Sequence, residues 1–69
     1  MSPLDDRLLA AHAAGDQDAL VDLYAEAAES AATLDAACFY LTHAYVFALE
    51  QNHPRQDNLF QRLRARGRV

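Results

Sequence analysis

Lysine is missing from the 69 residues, and the chain has one Cys, two Gly and two Pro. Each shortage excludes something. A single thiol, Cys38, cannot close an internal disulfide, which rules out a stapled secreted scaffold. Gly15 and Gly67 alone cannot build a glycine-rich phosphate loop. Collagen-like and low-complexity disordered chains need far more Gly and Pro. Long apolar runs are also lacking. The longest, Ala36 to Leu49, is interrupted by Thr42 and His43 and falls short of the roughly 18 residues needed to span a bilayer. The first residues, Met1-Ser2-Pro3-Leu4-Asp5-Asp6, are acidic and carry no signal-like apolar stretch, so a cytoplasmic location is expected.

What is abundant is alanine, the commonest residue within a hydrophobic fraction of 52%. Alanine favours helix and disfavours strand, so an all-α fold is expected. The length allows a single domain, 1–69. Size scaling gives about 4,300 Å² of surface folded against about 11,000 Å² unfolded. Burial then contributes on the order of 100 kcal/mol, and ordering the chain costs about the same. The monomer is marginal.

Charge is unevenly spread. The net charge is −4, with a pI near 5.0. Residues 1–50 hold nine acids against Arg7, and residues 51–69 hold Asp57 against Arg55, Arg62, Arg64, Arg66 and Arg68. Those five arginines are candidate contacts for an anionic partner, but an acidic chain without interleaved aromatics is not expected to bind nucleic acid. The Ala- and Arg-rich, Lys-free composition points to a high-GC bacterial genome.

Local signals place four helices. Ser2 caps Pro3 and an acidic first turn, and Gly15 stops a helix over 3–14. Asp16 caps a second over 17–31, with Leu20, Leu23, Tyr24, Ala27, Ala28 and Ala31 on one face and Asp18, Asp22, Glu26 and Glu29 on the other. A break near 32–34, with Thr33 as an N-cap, precedes a third over 35–51, although alanine leaves an unbroken run open. Asn52-His53-Pro54 ends that helix, and a fourth covers 55–66 before Gly67.

The third helix is apolar nearly all round, and such a helix is central to its fold or buried in an interface. A core stripe of Leu41, Tyr45 and Leu49 leaves Phe39, Val46 and Phe47 on another side. Phe39, Tyr40, His43, Val46 and Phe47 are therefore the candidate interface. No catalytic, metal or cofactor motif is present: His12, His43 and His53 sit in no ligand spacing, and Cys38 and His43 diverge by about 140° on a helix.

The chain also repeats weakly. The spacing of Leu4, Leu8, Leu9 and His12 recurs in the third helix as Ala37, Leu41, Thr42 and Tyr45. Leu23, Tyr24 and Ala27 of the second helix recur in the fourth as Leu59, Phe60 and Leu63. With Ala37, Leu41-Thr42 and Tyr45 in one helix and Leu20, Leu23-Tyr24 and Ala27-Ala28 in another, this resembles Sel1-like and tetratricopeptide-like repeats. Thr42 stands where that pattern has glycine. The resemblance implies two antiparallel helix hairpins, no enzyme activity and binding to protein, here a homodimer or another partner. An accessory subunit of a larger complex and a small nucleic-acid regulator using the arginine-rich fourth helix are the alternatives.

Overall fold

The architecture is that of a computed structural model, in which residues 3–68 are described. The chain is all-helical, with α1 (Pro3–Ala14), α2 (Gln17–Glu29), α3 (Leu34–Gln51) and α4 (Gln56–Ala65). Helices form where alanine and straight-chain residues accumulate, and short-range chemistry sets their ends. The Ser2 cap lies outside the described residues. Asp16 accepts from the Ala19 amide at 3.2 Å and caps α2. Thr33 Oγ1 accepts from the Ala36 amide at 3.1 Å, so α3 starts as a separate helix. α2 stops at Glu29, two residues short of the sequence expectation. There the Ser30 hydroxyl donates back to the Glu26 and Ala27 carbonyls while its amide makes the last helical bond, to the Glu26 carbonyl.

The stops of α1 and α3 share one design. At Gly15 (φ 66°) the Asp16 amide donates to the Ala11 carbonyl and the Gly15 amide to His12. At Asn52 (φ 51°) the His53 amide donates to Ala48 and the Asn52 amide to Leu49. Both are Schellman closures, which need one left-handed residue to satisfy the last carbonyls.

Consecutive helices pack on one another, most extensively α2 on α3. The assembly is a slab of 32 × 28 × 12 Å. The main core joins Val21, Ala25 and Ala28 of α2, Leu41, Ala44 and Ala48 of α3, and Leu59 and Leu63 of α4. Alanine has its clearest role here. Four of these eight side chains are methyl groups, so the backbones of α2 and α3 approach closely. A smaller cluster of Ala11, Leu20 and Leu23, flanked by Leu4 and Leu8, holds α1 down. Leu9, beside Leu8 in sequence, is exposed.

Three ion pairs bind the acidic face of α2 to other parts of the chain. Arg7 reaches Glu26 at 3.1 Å, Arg55 reaches Asp22 at 3.0 Å, and Arg62 reaches Glu29 at 3.9 Å. These partly exposed pairs contribute about 0–1 kcal/mol each. The last two show where the opposite charges of the two halves meet. The accessible surface is 4307 Å², close to the size-scaling value for a folded monomer.

Candidate functional site

On α3, residues three and four apart share a face. Leu41, Ala44 and Ala48 turn to the core. The opposite face carries Phe39, Thr42, Val46, Leu49 and Glu50, all exposed. Phe39 keeps 58% of its surface, Val46 47% and Leu49 46%. Leu49 is a correction to the sequence reading, which placed it in the core stripe. The core stripe runs through Leu41, Ala44 and Ala48 instead, and Leu49 lies about 100° round the helix from Ala48.

The five candidate interface residues divide into an outer pair, an inner pair and His43. Phe39 and Val46 are outermost. Tyr40 and Phe47 are half-buried and pack against the core, so the expectation that Phe47 lies outward with Val46 is corrected. Both turn to Tyr24 of α2. Ring centroids lie 6.3 Å from Tyr24 for Tyr40, 5.2 Å for His43 and 5.8 Å for Phe47, each stacked on it. Phe39 covers His43 at 4.4 Å. From α1, His12 Nε2 and the Tyr24 hydroxyl share a hydrogen bond of 2.9 Å. A stack of rings contributed by three helices therefore braces the surface from behind.

His43 Nδ1 lies 2.9 Å from the Phe39 carbonyl. A carbonyl only accepts, so Nδ1 carries a proton and Nε2 is the ring nitrogen left for another partner. His43, Thr42, Val46, Phe47 and Glu50 line a shallow groove of about 260 Å³ along the helix. It is apolar in the middle, with an imidazole at one end and a carboxylate at the other.

The candidate anion-binding arginines do not converge on one site. Arg55 and Arg62 face α2 carboxylates, and Arg68 pairs with Asp35 at 2.6 Å. Arg66 Nη1 donates to the Arg62 carbonyl at 3.0 Å. Arg64 has no ion pair among the described residues. The hydrogen bond to Asp35, then the proximity of Cys38, holds the Arg68 guanidinium above its ordinary value. A second cleft, of about 470 Å³, lies between the α2–α3 connection and α4 and is bordered by Glu29, Arg62 and Arg66. Its two cations are already engaged. Cys38 is buried, apart from the groove that His43 lines.

Comparison of the chain with protein-family models, curated proteins and solved structures gave no match. Among the described residues no three His, Cys, Asp or Glu side chains gather as metal ligands. No helix of those residues is long and apolar enough to cross a membrane. Sequence reasoning missed Thr42, Leu49 and Glu50 at the surface, and Tyr24 as the centre of the stack. The spacing 39, 42, 46, 49 carries the signal for the first two, but in an all-apolar helix several such stripes compete.

Proposed function

We propose that this chain is a non-catalytic interaction module that self-associates across the outer face of α3, its fold being two helix hairpins of the Sel1-like or tetratricopeptide-like kind. The carrying observation is the strip of Phe39, Val46 and Leu49, about half exposed on the helix that also supplies the centre of the core. Contiguous apolar strips rimmed by polar groups mark interaction sites more often than isolated exposed residues do.

The repeat reading gains support from packing. His12 and Tyr24 make an edge contact at 5.9 Å, and Tyr45 and Phe60 meet at 5.8 Å. Tyr45 is the counterpart of His12 in the repeat and Phe60 the counterpart of Tyr24, so equivalent positions make equivalent contacts. Two repeats are fewer than the three or more that stacked arrays normally need, which favours completion by another copy.

An 18-residue helix is about 27 Å long. A single seam of that length belongs with interfaces below about 1,200 Å², where transient complexes lie. Sedimentation equilibrium between about 20 and about 1,000 µM should therefore show a mass that rises from 7.6 kDa toward twice that value. A mass fixed at the monomer value in a folded sample would remove the proposal. Aggregation of the isolated chain would favour an accessory subunit. The arginine set is the less supported surface, since Arg55, Arg62 and Arg68 already face carboxylates.

A further inference from the structure

We infer that the second copy lies antiparallel across α3, with the two-fold axis at Val46 and Phe47 and His43 of each chain paired with Glu50 of the other. This rests on the self-association proposed above and specifies its orientation, register and ionic control. His43 and Glu50 are seven residues apart, which is two turns or about 10.5 Å along one side of the helix. They close the two ends of one groove whose centre is Val46 and Phe47.

A two-fold interface must be complementary to itself. An axis perpendicular to the helix reverses its direction and keeps each side chain on the same flank, so it sets His43 opposite Glu50 twice and places Val46 against its copy. A parallel pairing would instead put both Glu50 carboxylates at one level. Like charges at one level oppose association, so the antiparallel arrangement is the one this charge pattern selects.

The tautomer makes the pairing proton-dependent. Nδ1 is committed to the Phe39 carbonyl, so only Nε2 can reach a carboxylate. Unprotonated, Nε2 presents a lone pair and opposes the Glu50 oxygens; protonated, it donates to them with full charge assistance. The other titratable groups around His43 are Tyr24 of α2, stacked at 5.2 Å, Tyr40 and Glu50 of α3, and His12 of α1, bonded to the Tyr24 hydroxyl. α4 packs through Phe60 against Tyr45, about 160° round the helix from His43. Proton uptake at the interface therefore strengthens association as the pH falls, provided the carboxylate stays ionised.

The test is sedimentation equilibrium of the full chain at pH 8.0 and pH 6.0, with four variants. Wild type should associate about five- to tenfold more tightly at pH 6.0, as two rim ion pairs allow. His43→Gln should associate with little pH dependence. His43→Glu and Glu50→Arg should each weaken association at pH 6.0, where wild type pairs an imidazolium with a carboxylate, and the double variant His43→Glu/Glu50→Arg should restore it. Helix content by circular dichroism checks that each variant is folded. Association that is equal at both pH values, or a double variant no better than its parents, overturns the antiparallel register while leaving self-association in place. No association of wild type at either pH overturns both.

Discussion

Replacing Leu41 by alanine is expected to lower stability by about 2–5 kcal/mol and to leave much of the chain unfolded at 37 °C. Leu41 is fully buried at the junction of three helices, among Val21, Ala25, Ala28, Ala44, Ala48, Leu59 and Leu63. Four of those seven neighbours are alanines, which have no atoms to swing into the space left behind. The cavity therefore persists, and the cost sits toward the upper part of the range. A chain of this length typically has only about 3–10 kcal/mol of stability in total. Urea and thermal unfolding followed by circular dichroism measure the effect. A loss below about 1 kcal/mol would mean that the α2–α3–α4 core is not organised as described.

Val46→Glu should have the opposite profile. Val46 is about half exposed and lies outside both core clusters, so the folded chain should keep its helix content and melt within about 4 °C of wild type. Its association should weaken at least tenfold. The substitution removes the apolar centre of the seam and brings two new carboxylates together near the proposed axis, beside Glu50 one turn away. Arg64→Glu is the matched control: it also changes an exposed charge, but on α4, and should leave association unchanged. Equal loss in both variants would point to net charge, not to the α3 face.

Most helix ends, though not the end of α2, could be read from the sequence because their chemistry is local. Gly15, Thr33 and Asn52 each act on amides and carbonyls within a few residues, and each stands where the chain stops or starts. Which side of α3 faces the core could not be read in the same way. Every side of that helix is apolar, and the buried stripe runs through Leu41 and the small Ala44 and Ala48, which leaves Leu49 outward. Periodicity ranks residues by polarity and is blind to this choice.

The candidate surface was legible in part for the same reason. Phe39 and Val46 were recoverable as residues pointing away from the core, and His43 as their neighbour. Phe47 and Tyr40 were not, because Tyr24 of a different helix draws them inward. The charge asymmetry between the halves was visible at once. Its use was not, since the pairs Arg55–Asp22 and Arg62–Glu29 join distant parts of the chain and depend on how the helices lie together.

If the outer face of α3 is where one copy meets another, a dilution series of amide chemical shifts, from about 1 mM to about 20 µM, reads that face directly. The shifts should change with concentration at Phe39, Thr42, His43, Val46, Leu49 and Glu50 and stay fixed along α4. Shifts that do not move with concentration, or that move on α4 while α3 stays constant, would contradict self-association through this face.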